Sequence, residues 1–374
     1  MTFPQASSEA LNLGQWFKLI CGASYQDVAK VRNLALVYGL AGVDCVDLAA
    51  DVAVVHAARQ GIVVARALCP TVSPLVMVSF NDGQDPHFRK AWFDAHYCPV
   101  SCTRPCEAVC PAEAISLATP KGHQQTGLGV IAERCYGCGR CLPICPHGVL
   151  EERSLQVTVG EVMPTLLPYI DAVEIHTQVG RYIEFRDLWR QLVPYVSDLK
   201  LVAVSCPDSG ARGSAVTNYL FKLYELMVPK PKQLIWQTDG RPMSGDIGKG
   251  TTHATIRMAQ KVLNAGLPGY VQLAGGTNNY TVAKLRSLNL LKSDHQPEPQ
   301  PHVNGVAYGS YARRLVDVGD EPLEKYPEKL CQQVSLASSL VSQIKPNIQQ
   351  DSGLSKLLID YGCQPVKDFV KLPP

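Results

Sequence analysis

The chain has 374 residues, 46% of them hydrophobic, enough for one large or two to three ordinary domains and too apolar for wholesale disorder. Its 35 Lys and Arg against 33 Asp and Glu leave a formal charge of +2, with no dense basic cluster to gather nucleic acid or anionic lipid. No run approaches about 20 uninterrupted apolar residues, and the stretch from Met1 to Gln15 has neither the basic nor the apolar region of a signal peptide, so the sequence predicts a soluble, cytoplasmic protein without a membrane span.

Short apolar runs then alternate with amphipathic ones. Residues 17–23 form the first run, followed by a helical segment over 27–40. The second run, 43–48, leads into a helix reaching Arg59, and the third, 74–80, closes on Asn81-Asp82-Gly83. After a cysteine-rich stretch come runs at 172–177, 200–206, 233–238, 270–276 and 305–309, separated by helical spacings over 181–195, 213–227, 251–263 and 281–290. Continuous Val, Ile and Leu runs suit strands buried on both faces, as in parallel sheets. Eight β-then-α units predict a (β/α)8 TIM-like barrel, with an open doubly wound sheet as the alternative. Residues 295–302 read as an exposed Pro-rich loop, and from about Asp320 prolines punctuate short helical pieces such as 330–344, predicting a C-terminal helical extension.

Eight of the 14 cysteines lie between Cys98 and Cys145, which in a cytosolic chain points to metal or redox chemistry rather than to disulfides. Cys135, Cys138, Cys141 and Cys145 form C-x2-C-x2-C-x3-C-P, the bacterial ferredoxin run for a four-iron, four-sulfur (4Fe-4S) cluster. Gly137 and Gly139 let backbone amides approach the sulfurs. Cys98, Cys102, Cys106 and Cys110 repeat the pattern at x3 spacing, again ending on proline, and 24 residues separate Cys110 from Cys135. By the crossed ligation of two-cluster ferredoxins, Cys110 joins Cys135, Cys138 and Cys141 on one cluster, and Cys145 joins Cys98, Cys102 and Cys106 on the other. The x3 spacing, stiffened by Pro99 and Pro105, predicts that the cluster on Cys98, Cys102 and Cys106 is the labile one, able to become 3Fe-4S. Structural zinc is the bland alternative, and the spacing does not match the C-x3-C-x2-C of radical S-adenosylmethionine enzymes. Cys21, Cys45, Cys69, Cys206, Cys331 and Cys363 read as buried small hydrophobes. The predicted organisation is thus three barrel strands in 11–94, an inserted ferredoxin-like domain in 95–152, five barrel strands in 153–318, and the extension in 319–374.

At the C-terminal ends of barrel strands, where ligands bind in such folds, stand Asp51, Asn81, Asp82, Glu174, His176, Asp239 and Arg241. Gly248, Lys249 and Thr251 before one helix, with Gly275, Gly276 and Thr277 after the next strand, outline an anion cradle for a phosphate or, as a weaker expectation, a flavin. Thr251 as a helix cap and Glu174 with His176 as an internal hydrogen-bonded pair are the structural alternatives. No Ser/His/Asp triad, glycosidase carboxylate pair or HExxH motif is evident.

The stretches Trp16-Phe17-Lys18-Leu19-Ile20-Cys21-Gly22-Ala23-Ser24, Leu40-Ala41-Gly42-Val43-Asp44-Cys45-Val46-Asp47 and Arg241-Pro242-Met243-Ser244-Gly245-Asp246-Ile247-Gly248, together with the doubled cysteine motif, resemble the cyanobacterial light-dependent period (LdpA) family. The resemblance implies an iron–sulfur protein that feeds redox state, and through it light, into the circadian clock, with clock input and output proteins as partners. The residues themselves support a two-cluster electron-transfer module served by redox proteins or by quinone- or ferredoxin-type donors. A ferredoxin-linked oxidoreductase with a flavin or small molecule at the barrel mouth is the alternative to a non-enzymatic sensor.

Overall fold

The computed structural model describes residues 3–83, 89–110, 112–117, 129–132, 134–135, 137–154, 157–207, 215–240, 248, 250–292 and 300–346, without the side chains of residues 3–7. After an N-terminal helix, α1 (Phe3–Asn12), come three barrel strands, β1 (Trp16–Ile20), β2 (Cys45–Ala49) and β3 (Leu75–Asn81). Four short strands of the cysteine-rich segment follow, β4 (Arg89–Trp92), β5 (Ile115–Ser116), β6 (Gly129–Val130) and β7 (Glu151–Ser154). Five more barrel strands complete the set: β8 (Ala172–His176), β9 (Leu201–Pro207), β10 (Leu234–Asp239), β11 (Tyr270–Ala274) and β12 (Gly305–Tyr308). The eight barrel strands are parallel and closed, in the order β1-β2-β3-β8-β9-β10-β11-β12, with β12 returning to β1. Each of the eight apolar runs lies on one of them, and the fold is the α/β barrel rather than an open sheet.

Closure depends on glycine. At Gly305 an added Cβ would stand 2.6 Å from the carbonyl oxygen of Trp16, so a side chain there would push the last strand off the first.

Alternation along the strands sorts two apolar clusters. Phe17, Leu19, Val46, Leu48, Val76 and Val78 face outward under the helices. Trp16, Cys45, Leu75, Met77, Leu201 and Ile235 face inward near the N-terminal ends of the strands, where Ala10 and Leu11 of α1 seal the barrel floor. The helices outside the barrel begin with α2 (Val28–Leu40) and α3 (Val52–Leu68), which start on side-chain caps. Asp27 accepts from Lys30 N at 3.1 Å, and Asp51 accepts from Ala53 N at 2.8 Å and Val54 N at 3.1 Å.

In the cysteine-rich segment β4 pairs antiparallel with β7, and β5 with β6. Two short helices, α4 (Pro105–Val109) and α5 (Cys141–Ile144), carry cysteines into a separate small core of Phe93, Cys106, Ile115, Cys141 and Leu150. This paired sheet opens at Arg89, inside the 11–94 stretch that the sequence assigned to the barrel. The segment leans on the loop after β1: the Lys90 ammonium donates to Gln26 Oε1 at 2.6 Å and to the Ala132 carbonyl, and Arg134 stands 3.9 Å from Asp27 and 3.8 Å from Asp320.

The remaining helices are α6 (Val159–Leu166), α7 (Tyr182–Leu192), α8 (Ala215–Leu226), α9 (Thr252–Ala265), α10 (Thr281–Ser287), α11 (Ser310–Leu315) and α12 (Pro327–Val341). The C-terminal extension packs on the barrel through α12 and α2. Asn33 Nδ2 donates to the Glu321 carbonyl at 2.8 Å, Arg32 pairs with Glu324, and Lys345 reaches Asp44 Oδ1 at 2.7 Å. Residues 347–374 and most of the Pro-rich loop lie outside the described residues. Among the described residues no helix is long and apolar enough to cross a membrane.

Candidate metal centre

Two groups of thiols emerge from the fold. Cys110, Cys135, Cys138 and Cys141 line one cavity between β4, α5 and the turn after α4, together with Lys90, Ala91 and Ala112. Cys98, Cys102, Cys106 and Cys145 form the second group: Cys102 and Cys145 act electrostatically on Cys98, as Cys145 and Cys98 do on Cys106. The structure therefore brings Cys110 to the thiols of the second motif and Cys145 to those of the first, the crossed arrangement. Among the described residues no three His, Cys, Asp or Glu side chains converge tightly enough to grip a single ion; the first quartet surrounds a space instead.

The two motifs repeat at backbone level. After each final cysteine the chain turns through a left-handed residue, Glu113 (φ 49°) in one copy and Gly148 (φ 62°) in the other. Glu113 N donates to the Cys110 carbonyl at 3.2 Å, and Gly148 N to the Cys145 carbonyl at 3.4 Å. Glycine suits this conformation at 148, whereas Glu113 bears it with a side chain. Gly137 and Gly139 also take positive φ, 67° and 71°, and shape the loop around Cys138.

Backbone amides are aimed at sulfur. Cys135 Sγ accepts from Ala91 N at 3.3 Å, Cys110 Sγ from Ala114 N at 3.2 Å and Cys102 Sγ from Arg104 N at 3.4 Å. Burial pushes the Cys141 thiol up to about 12, with its neighbours Cys138, Cys135 and Cys110 adding to the rise, and burial likewise raises Cys138. Cys145 goes the other way: burial works against its thiolate, but the amides of His147, Val149, Leu150 and Gly148 together outweigh it and lower the thiol. Four soft donors around a cavity, with N–H groups directed at them, suit an iron–sulfur cluster.

The barrel interior adds an ionisable network. Lys18 on β1 is fully buried; its ammonium pairs with Glu174 on β8 and lies 3.4 Å from Asp47 on β2. Asp47 Oδ1 accepts from Ser79 Oγ at 2.8 Å. Glu174 Oε1 meets His176 Nε2 at 3.0 Å and accepts from Gln237 Nε2 at 2.7 Å, and the chain runs on through Gln272 to the Trp16 indole. Burial raises Asp47, while Lys18 and His176 hold Glu174 low against its own burial. The sequence reading found Glu174 and His176 but missed Lys18 and Asp47. Their signal was a charge flanked by apolar residues inside a run, Phe17-Lys18-Leu19 and Val46-Asp47-Leu48, which only a polar barrel interior accommodates.

The other mouth residues have structural work. Asp51 caps α3, Asn81 closes a turn onto Gly83 N at 3.1 Å, and Asp82 accepts from the Thr177 hydroxyl and from Arg181 at 3.4 Å. Asp239 is buried at the end of β10. Arg241 and Lys249 lie outside the described residues. In the loops read as an anion cradle, Thr251 Oγ1 donates to the carbonyls of Gly248 at 2.8 Å and Gly276 at 2.7 Å, and Thr277 Oγ1 to that of Ala307 at 2.6 Å. The Thr251 hydroxyl latches the two loops together, the Thr277 hydroxyl ties the second loop to β12, and Gly275 and Gly276 take positive φ in the turn. Cys21, Cys45, Cys69 and Cys206 are buried free thiols; Cys331 is buried too but disulfide-bonded, against the expectation of a plain small hydrophobe, and Cys363 is outside the described residues.

Known proteins resemble this chain along most of its length. A family model described as the LdpA Fe-S cluster-binding domain matches residues 98–156, and one described as the light dependent period A C-terminal domain matches residues 167–343. Over 345 residues the chain is 51% identical to light dependent period A of Synechococcus elongatus, covering 90% of this chain and 93% of that one. A crystal structure of (S)-3-O-geranylgeranylglyceryl phosphate synthase from Thermoplasma acidophilum covers 92% of this chain and 99% of its own, at 12% identity and a TM-score of 0.39.

Proposed function

This chain belongs to the light dependent period A family, and on that premise we propose that it holds two 4Fe-4S clusters in a ferredoxin-like module and uses them to pass cellular redox state, set by light, to the circadian clock. Cys110, Cys135, Cys138 and Cys141 would hold one cluster, and Cys98, Cys102, Cys106 and Cys145 the other. When bound, such a cluster takes up and returns a single electron. The chain's own part is to fix the thiolates, to aim the Ala91, Ala114 and Arg104 amides at sulfur, and to carry the module rigidly on the loop after β1. The observation that carries the reading is the crossed pair of thiol quartets. Its electron donor is a redox protein, a ferredoxin or a quinone, and its readout is a change in affinity for clock input and output proteins.

Anaerobic isolation followed by iron, sulfide and flavin quantitation and EPR tests this. Iron and acid-labile sulfide in about equal amounts, with two cluster signals, support it. Folded protein that holds only zinc, or no iron at all, overturns it.

A second reading is an oxidoreductase with a small molecule at the barrel mouth. The network of Lys18, Asp47, Glu174 and His176 beneath that mouth favours it, since barrel interiors are usually filled by branched apolar side chains. The donation of the Thr251 and Thr277 hydroxyls to carbonyls weighs against a flavin phosphate there. Flavin released by acid from the purified protein would favour the enzyme.

A further inference from the structure

The helices that follow β1 and β2 begin on carboxylates whose second oxygens are held from the cysteine-rich segment. Asp27 caps α2 through Oδ1, which accepts from Lys30 N, and its Oδ2 stands 3.9 Å from Arg134 Nε. Asp51 caps α3 through Oδ1, which accepts from Ala53 N and Val54 N, and its Oδ2 accepts from Gln26 Nε2 at 2.8 Å. Gln26 Oε1 in turn accepts from the Lys90 ammonium at 2.6 Å. Lys90 lines the cavity of Cys110, Cys135, Cys138 and Cys141, and Arg134 directly precedes Cys135. Each cap acid is thus tied, directly or through one amide, to a cation that belongs to the wall or the loop of that cavity. Beyond the caps the packing is tight. A Cβ at Gly61 of α3 would run into the Arg32 carbonyl of α2. Asn33 on α2 donates to the carbonyls of Val318 and Glu321 at 3.2 and 2.8 Å, and Arg134 also faces Asp320 at 3.8 Å.

We propose that Asp27 and Asp51 form a joint through which the charge in that cavity reaches the starts of α2 and α3 and residues 318–321. Resting on the iron–sulfur reading above, the joint sets which elements answer the cluster. An electron handed over by the donor adds one negative charge to the cavity. It draws the Lys90 ammonium and the Arg134 guanidinium inward, at the expense of Gln26 and Asp27. The cap acids keep their backbone donors but lose what steadies their second oxygens, so the first turns of both helices open more often. The two charge states thus differ in what they offer the joint, which a switch requires and mere proximity does not supply. By reciprocity, a partner that clamps the start of α2 makes the cluster harder to reduce.

The test is hydrogen exchange read by mass spectrometry on full-length, anaerobically purified protein, oxidised and dithionite-reduced, with iron and EPR measured on the same sample. The reporters are the cap-bonded amides of Lys30, Ala53 and Val54. On reduction the peptides that contain them should exchange roughly fivefold faster. Peptides of α8, across the barrel from β1 and β2, should not change. Gln26→Leu/Asp27→Asn cuts both links while leaving α2 capped, since asparagine caps as well as aspartate. This variant should hold the same iron, give the same EPR signals and exchange at one rate in both states. Equal exchange in the two states of the wild type, with EPR showing the cluster reduced, overturns the joint and leaves the clusters standing. A redox-dependent change that survives the double variant does the same. Folded protein without iron overturns the iron–sulfur reading and the joint together.

Discussion

The ammonium of Lys18 on β1 pairs with the carboxylate of Glu174 on β8 inside the barrel, and both side chains are fully buried. Removing Lys18 strands two carboxylates, Glu174 and Asp47, in a medium that solvates charge poorly, whereas removing Glu174 still leaves Lys18 beside Asp47. Lys18→Met should therefore lose about 3–5 kcal/mol of stability and Glu174→Gln less, while Lys18→Met/Glu174→Leu, an apolar exchange of similar volume, should recover most of the loss. Asp47, left without its cation, would take up a proton, as its raised pKa already favours. Urea unfolding of wild type, single and double variants reads the difference; an undamaged single variant would show that the pair carries no such weight.

Crossed ligation has a genetic signature. Cys110→Ser and Cys138→Ser should each cost about half the bound iron, and combining them should cost no more than either alone. Cys110→Ser combined with Cys98→Ser should remove all of it. Iron per chain and EPR decide the matter, and sequential pairing of Cys110 with Cys98 would reverse the two outcomes.

The two quartets differ in shelter. Cys135 and Cys141 are buried and Cys110 and Cys138 half-buried in the first, whereas in the second only Cys106 is buried and Cys98, Cys102 and Cys145 are half-buried, with Val100 beside them 94% exposed. Brief exposure to air should convert the cluster of Cys98, Cys102, Cys106 and Cys145 first, giving a 3Fe-4S EPR signal. Cys145→Ser protein should lack that signal and keep a more air-resistant cluster.

Acid should act through Asp82. Burial lifts its carboxyl from 3.8 to about 6, against the opposing pull of Thr177 and Arg181. Between those values the folded chain holds a proton that the unfolded chain has released, so this group makes stability fall as pH rises from about 4 to 6. Asp82→Asn should flatten that stretch of the melting-temperature profile, an effect on the order of 2 kcal/mol. A profile unchanged by the substitution would mean that Asp82 titrates normally.

The barrel was legible because each strand is a continuous apolar run, and the spacing of eight such runs leaves little choice of topology. The cysteine motif was equally legible, since its spacing is itself the geometry of a loop around a cluster. What escaped notice were residues whose meaning depends on the inside of the barrel. Lys18 and Asp47 look like interruptions in apolar runs until closure puts them opposite Glu174. Asp51, by contrast, looked like a mouth residue and is a helix cap, because an acid just before a helix satisfies either description. The helix α1 is amphipathic in sequence but went unread, because the purpose of its apolar face, burying Ala10 and Leu11 against the barrel floor, exists only once the barrel has closed.

Because β1 is hydrogen-bonded to β12, the ring cannot be sealed until residue 308 has left the ribosome. All eight clustered cysteines emerge earlier, by which point only β1, β2 and β3 of the barrel have been made. The order of synthesis thus offers the thiols to the iron-delivery machinery on an unfinished scaffold, and metal insertion can precede the final tertiary step.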